Sequence, residues 1–537
     1  MTATPPDTVY AAFAAAAEKF PDRPFLKVLP KTADIYGIPA GDLTYGAALQ
    51  TVDALARDLM EAGYGAGMRV ALLLENRPTF FLHWLAVNRI GGSVVPVNPD
   101  LRAAELEYLI GHSEPALLVS IADRKTELER AVAAAGIAAT VIAPGEPIPR
   151  PRDEAVTARL LEGEAREAAI LYTSGTTGKP KGCVLPNTYF LLAGRWYAGV
   201  GGLATLTEEG ERMITPLPVF HMNAMAYSFM AMVTVGGCLT VLDRFHPRTW
   251  WQDVAASRAT CLHYLGVMPS MLTGFDPSPA DRAHEVRFGF GAGVDPKLQI
   301  AFENRFGFPL VEAWAMTETG AGAVIAASGE DRLVAQASIG KPSKGVNCRI
   351  VDENGDEAVQ GELLVRHAGP DPRYGFFSEY YKDEAATEEA WKDGWFHTGD
   401  IVRRGTDGNL FFVDRKKNVI RRSGENIAAV EVESILMRHP DIEAAGIAPV
   451  PDPVRGDEVF ACLKVKTPSP EKAAAITRWC LEQMAYYKAP GYIAFVDKLP
   501  LTPTQKIQRA ALKDLALQLL DHPDTVFTGH MKKRQAS

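Results

Sequence analysis

The stretch Leu171-Tyr172-Thr173-Ser174-Gly175-Thr176-Thr177-Gly178-Lys179-Pro180-Lys181-Gly182 follows a short apolar run and brings hydroxyls, three glycines and two lysines together. Glycine lets the backbone turn so that N–H groups converge on an anion. The hydroxyls add donors and the lysines add charge, so the segment has the chemistry of a polyphosphate cradle. A Walker A loop does not fit. That pattern needs Gly at 173 and Ser or Thr at 180, where Thr173 and Pro180 stand. A solvated surface loop is the bland alternative, but such loops rarely collect every phosphate-binding element in one run.

Outward from the loop, strand-like and helix-like segments alternate. Residues 69–74, 93–97, 116–120, 139–143, 168–172, 213–217 and 239–242 read as short buried strands, with helical patterns at 79–90 and 101–112. This predicts a multi-domain α/β (α+β) fold with layered, largely buried sheets. From about residue 338 turn signals become dense, as in Glu353-Asn354-Gly355-Asp356 and Asp407-Gly408-Asn409, with short strands at 349–351 and 362–365. A small β-rich subdomain over 338–416 is expected. The basic run Arg415-Lys416-Lys417 then opens a third region, with helices at 429–437 and 471–484 and strands at 444–448 and 459–465. The expected division is 1–416 and 417–537, the second part being small, mobile and α+β. A helix after Lys513 and an unanchored polar tail complete it.

Bulk properties narrow the function classes. At 537 residues the chain exceeds one compact core. The 56 basic and 65 acidic residues leave a net charge of −9, which argues against a general nucleic-acid binder. Six scattered cysteines form no CxxC pair, so neither a zinc knuckle nor a disulfide framework is indicated, and a cytoplasmic protein with reduced thiols is expected. No apolar run is long enough to span a bilayer. A homodimer is the general expectation for a soluble enzyme.

Further motifs recur in order along the chain: Pro216-Leu217-Pro218-Val219-Phe220-His221, Ala315-Met316-Thr317-Glu318-Thr319, Gly394-Trp395-Phe396-His397-Thr398-Gly399-Asp400, Asp414-Arg415-Lys416-Lys417, Gly424-Glu425-Asn426 and Thr504-Gln505-Lys506-Ile507. With the loop they make the chain resemble the adenylate-forming superfamily of acyl-CoA synthetases, peptide-synthetase adenylation domains and luciferases, nearest the carnitine/crotonobetaine-CoA ligase-like branch. The resemblance implies two half-reactions. A carboxylate attacks the α-phosphorus of ATP, and CoA then takes the acyl group as a thioester. A carrier-protein thiol as acceptor and a non-catalytic nucleotide-binding scaffold remain as alternatives.

The resemblance also assigns residues. Thr173, Ser174, Gly175, Thr176, Thr177, Gly178, Lys179 and Lys181 are implied to hold ATP phosphates. Glu318, with Thr177, is implied to hold Mg²⁺, which favours hard oxygen ligands. Thr317 and Met316 adjoin the nucleotide. Trp314-Ala315 replaces the family's usual Tyr-Gly, so Trp314 inherits adenine stacking and Ala315 narrows the acyl pocket. Asp400 and Arg415 are implied at the ribose. Lys506 bridges carboxylate and α-phosphate, though Gln505 replaces the usual glycine before it. Lys417 matches the hinge and Gly424 the pantetheine tunnel. Arg422, with Arg421, is a candidate for the CoA phosphates, with a solvated basic face as an equal alternative. His221 matches a gating position, with a packed core histidine as the alternative. His221, Met222, Asn223, Trp314 and Ala315 are expected to line the acyl pocket, and a trimethylammonium acid would find a cation–π partner in Trp314.

Overall fold

The computed structural model describes residues 5–152, 160–173, 179–415, 419–501 and 507–533. Three sheets organise the chain. In the first, Glu167–Thr173, Ser93–Pro96, Arg69–Leu73, Leu117–Ser120 and Thr140–Ile142 run parallel in that spatial order. Lys181–Pro186 and then Glu379–Tyr380 add antiparallel strands at one edge. The central strand Arg69–Leu73 is buried throughout, as its continuous apolar run requires. Its one charged residue, Arg69, is matched by the Glu167 carboxylate at 2.8 Å from Nε and 2.9 Å from Nη2.

The second sheet holds parallel strands in the order Leu310–Trp314, Phe288–Ala292, Cys261–Leu265, Arg212–Thr215, Cys238–Val241 and Pro24–Val28. It does not stop at the expected β-rich subdomain. Ile325–Ala326 and Ser338–Pro342 carry the hydrogen-bonded ladder from Leu310–Trp314 into the antiparallel strands Leu410–Arg415, Trp395–Arg404, Gln360–His367 and Val346–Val351. The turn-rich region is therefore an extension of an α/β sheet.

The third sheet, built from residues 419–527, carries its own two apolar clusters, one on each face. Helix Arg509–Leu519 starts before Lys513, because Leu512 and Ala516 are its buried positions. The chain after that helix is anchored as far as Lys532. Val526–Phe527 pairs with Tyr492–Phe495, and the Lys532 ammonium is fully buried against Glu458.

This C-terminal unit docks on helix Ala103–Ser113 of the larger part. Glu105 accepts the backbone N–H of Arg102 at 3.1 Å and so caps its own helix. The same carboxylate accepts from Ala485 N–H and from the Lys488 ammonium, both at 2.7 Å. Lys488 also reaches Glu431 at 2.6 Å, and Asn98 donates to the Tyr487 hydroxyl at 2.9 Å.

Candidate active site

Thr173, Leu265, Ala292 and Trp314 lie at the carboxyl ends of parallel strands, and the Pro216–His221 segment follows a fifth such end. Open α/β sheets place ligands there. Thr173 pairs with Lys181 across an antiparallel hairpin, so the phosphate loop joins strand to strand. A Walker A loop joins strand to helix. Ser174, Gly175, Thr176, Thr177 and Gly178 lie outside the described residues, as do Lys417 and Lys506.

The loop's far side is well placed. Tyr108 donates to the Pro180 carbonyl at 2.9 Å, and its ring centre lies 5.2 Å from the Lys179 ammonium. Lys181 sits 4.7 Å above the ring of Tyr380. The hydroxyl of that same tyrosine donates to Glu318 Oε1 at 2.8 Å. Tyr380 thus ties the last lysine of the loop to the expected metal carboxylate. Burial, and secondarily Glu318, push its hydroxyl far above the usual phenol range. Its place comes from Glu379–Tyr380 pairing with Cys183 and Val184, a long-range register that local sequence does not display.

Glu318 follows the turn after Trp314, where Met316 N–H donates to Thr319 Oγ1 at 3.0 Å. Ala315, Met316 and Thr317 are half-buried there. Trp314 is 6% exposed, and its indole N–H donates to Asp400 Oδ2 at 2.8 Å. The expected adenine-stacking ring therefore also grips the expected ribose carboxylate. The Arg415 backbone pairs directly opposite Asp400.

At the other side of the site, Asn76 fixes the Pro216–His221 segment. Its amide donates to the carbonyls of Leu217 and Leu242 at 3.1 and 2.8 Å, and its oxygen accepts from Val219 N–H at 2.9 Å. His221 is part-exposed, and its Nε2 lies 3.3 Å from Glu425 Oε1 in the C-terminal unit. Gly424, at φ +90°, abuts Leu265 so closely that a Cβ would lie 2.4 Å from Leu265 Cδ1. The hairpin of Val419–Arg422 and Glu425–Ala428 thereby enters between two strand-end loops. Met222 packs on the main core, and Asn223 starts a π-helix, Asn223–Phe229.

Arg422 is a correction. It is 4% exposed, with Nε 2.8 Å from Glu458, so its guanidinium is held inside the unit rather than offered to CoA phosphates or to solvent. One position missed from sequence, Glu312, shapes the strand ends. Glu312 accepts from Gly293 and Val294 N–H groups at 2.9 and 3.2 Å and from the Tyr264 hydroxyl at 2.5 Å. Burial pushes its carboxyl up to about 7. Between the phosphate hairpin and helix Ala429–Leu436 lies a cleft of about 410 Å³ lined by Lys179, Lys181, Lys382, His112 and Ser434 among others.

Comparisons with known proteins identify the family. Residues 13–381 match the model of the AMP-binding enzyme family, and residues 431–506 match the AMP-binding enzyme C-terminal domain. The sulfoacetate–CoA ligase of Cupriavidus necator is 31% identical over 529 residues, covering 96% of this chain and 98% of the relative. The crotonobetaine/carnitine–CoA ligase of Salmonella paratyphi B is 28% identical, covering 90% and 96%. Among solved structures, o-succinylbenzoate CoA synthetase from Bacillus subtilis, bound with a product analogue, superposes with a TM-score of 0.79 at 24% identity, covering 94% of this chain and 98% of that one. No helix among the described residues is long and apolar enough to cross a membrane. The chain belongs to the AMP-binding enzyme family and is an AMP-forming acid–thiol ligase.

Proposed function

We propose that the chain uses ATP to convert a short polar carboxylic acid into its acyl-adenylate and then passes the acyl group to the thiol of CoA, releasing AMP. The observation that carries this reading is the convergence on one turn, residues 314–318. There Trp314 holds Asp400, while Tyr380 holds Glu318 beneath Lys181. Ribose-binding and phosphate-binding chemistry thus sit at opposite ends of five residues.

In the first half-reaction Lys179, Lys181 and the loop residues 173–178 orient the phosphates, and Lys506 brings carboxylate and α-phosphate together. Two anions must meet, and fixed positive charge lowers that barrier. Thr317 and Asp400, with Arg415, position the nucleoside. Glu318 and Thr177 would hold a Mg²⁺ ion, which would supply charge neutralisation on the phosphates. The carboxylate suits such an ion, since Tyr380 pins one oxygen and, among the described residues, no hydrogen bond engages the other. In the second half-reaction the unit from 417 onward turns about Lys417, and the Gly424 hairpin lines the path of the CoA thiol. The contacts of Gly424 with Leu265 and of Glu425 with His221 support an arrangement suited to that step. The named substrates of the two relatives, sulfoacetate and crotonobetaine or carnitine, support a short polar acid. Dependence on ATP and CoA supports a cytoplasmic setting.

The test is pyrophosphate release across a panel of short acids, followed by CoA addition and mass detection of the thioester. Lys506→Ala is expected to abolish adenylate formation while sparing thioester formation from supplied acyl-adenylate. Lys417→Pro is expected to do the reverse. Equal loss of both steps in either variant contradicts this division of labour.

A further inference from the structure

Beneath the expected acyl pocket lies a polar relay in an otherwise aromatic core. Tyr197, Ser228 and His263 are fully buried, while Asn223 keeps partial exposure beside His221 and Met222. His263 Nε2 lies 3.0 Å from the Tyr197 hydroxyl. His263 Nδ1 lies 2.7 Å from Asn223 Oδ1 and 2.8 Å from Ser228 Oγ. The serine hydroxyl donates to Asn223 Oδ1 at 3.4 Å.

The hydrogens available set the directions of the bonds around the imidazole. Among the described residues the Tyr197 hydroxyl has a single partner, His263 Nε2. A buried hydroxyl hydrogen left unpaired is penalised, so Tyr197 donates and Nε2 accepts. Burial holds the imidazole down at about 3, so the ring is neutral and carries its one proton on Nδ1. An N–H₂ group cannot face a protonated Nδ1 at 2.7 Å, so the Asn223 atom there is the carbonyl oxygen, and Ser228 Oγ accepts from the same ring N–H while donating to that oxygen. The Asn223 N–H₂ group is then the end of the amide that the relay does not hold, on a residue that keeps partial exposure two positions after His221. The residue opens a π-helical turn, a geometry that recurs at functional sites.

We propose that Asn223 is a specificity-determining residue. The Tyr197–His263 relay holds its N–H₂ toward the acyl chain, so the enzyme selects acids that carry a hydrogen-bond acceptor on that chain. The proposal rests on the ligase reading above and names the substrate class of its acyl site. A site built to hydrogen-bond a substrate group rejects the isostere lacking it far more strongly than an apolar pocket rejects a methylene. Tyr197 and His263 are positioning residues, since they act only through Asn223.

The test uses matched pairs of acids in which a ketone replaces an isosteric methylidene: 4-oxopentanoate against 4-methylidenepentanoate, and the 5-oxo and 6-oxo homologues with their partners. The readout is the ratio of kcat/KM for pyrophosphate release within each pair. In the unmodified enzyme at least one oxo acid is expected to be favoured tenfold or more. Asn223→Leu is expected to bring that ratio to about one. Tyr197→Phe keeps the ring and removes only the hydroxyl. It frees the imidazole tautomer and hence the amide to flip, and is expected to lower the ratio several-fold, chiefly through KM. A ratio near one for every pair in the unmodified enzyme overturns the proposal. So does a ratio that Tyr197→Phe leaves unchanged, because a merely structural relay predicts that result. Absence of pyrophosphate release with every acid is a different outcome, which sinks the ligase reading and the proposal with it.

Discussion

Replacing Lys488 by Met removes the only positive charge described between two buried carboxylates. The ammonium lies 2.7 Å from Glu105 and 2.6 Å from Glu431, and the three side chains are 8%, 4% and 5% exposed. Without it, the docked arrangement must either bury two facing carboxylates or protonate one. Protonating a carboxyl of ordinary pKa at pH 7.5 costs about 4 kcal/mol, at about 1.4 kcal/mol for each pH unit. Breaking a buried pair from one side typically costs about 3–5 kcal/mol, so the two routes agree. Undocking hydrates both groups and relieves that cost. The expected result is a loss of docking by about 4 kcal/mol at pH 7.5, shrinking tenfold in population per pH unit as pH falls toward 5. Thioester formation from supplied acyl-adenylate and CoA should fall about a hundredfold or more at pH 7.5 and recover on acidification, while pyrophosphate release is spared. Glu105→Gln separates charge from contact. It keeps the acceptor and removes one of the two negative charges. Burial pushes the Glu105 carboxyl up, so a neutral group costs less at that position than in water. This variant is expected to retain thioester formation within about threefold. Equal damage from Lys488→Met and Glu105→Gln, or a Lys488→Met loss that ignores pH, refutes the reasoning.

Trp314→Phe leaves Asp400 without its indole donor in a site that is 1% exposed, and is expected to raise KM for ATP about tenfold, an effect of about 1.4 kcal/mol, with a smaller rise for 2′-deoxy-ATP. An equal rise for both nucleotides would place the effect outside the ribose. Tyr380→Phe frees Glu318 to swing, and the Mg²⁺ concentration giving half-maximal pyrophosphate release should rise about tenfold or more, as loss of a ligand-orienting partner generally does. The Glu312 carboxyl, raised from 4.5 to about 7, favours the folded state when protonated. Its contribution is full below pH 4.5, lost as pH rises to about 7, and amounts to about 3 kcal/mol by linkage. Thermal unfolding from pH 5 to 8 should therefore show the unmodified enzyme losing ground against Glu312→Gln, and parallel curves would contradict this.

What sequence disclosed here was local, and what it hid was long-range or alternated on the wrong face. The phosphate loop and the buried strands announce themselves because turn chemistry and apolar runs act over a few neighbours. Strand 69–74, expected from its apolar run, ends at Leu73 in the structure, and helix 429–437 ends at Leu436. The Trp314–Asp400 bond spans 86 positions and the Lys488–Glu105 bond 383, distances across which composition carries no pairing signal. Arg422 is the instructive failure, since its signal was present. In a strand, successive side chains alternate faces. Ile420 is fully buried, so Arg422, two residues on, falls on the same inward face, while Arg421 falls outward. A charge at an inward position must be matched, and Glu458 supplies the match. The same logic applies to His263, where Cys261-Leu262-His263-Tyr264 reads as a continuous buried strand with one polar ring in it. A histidine in such a run needs partners on both nitrogens. Asking what those partners are, in place of treating the ring as core filling, leads from an apolar strand to the Tyr197 hydroxyl on one side and the Asn223 amide on the other.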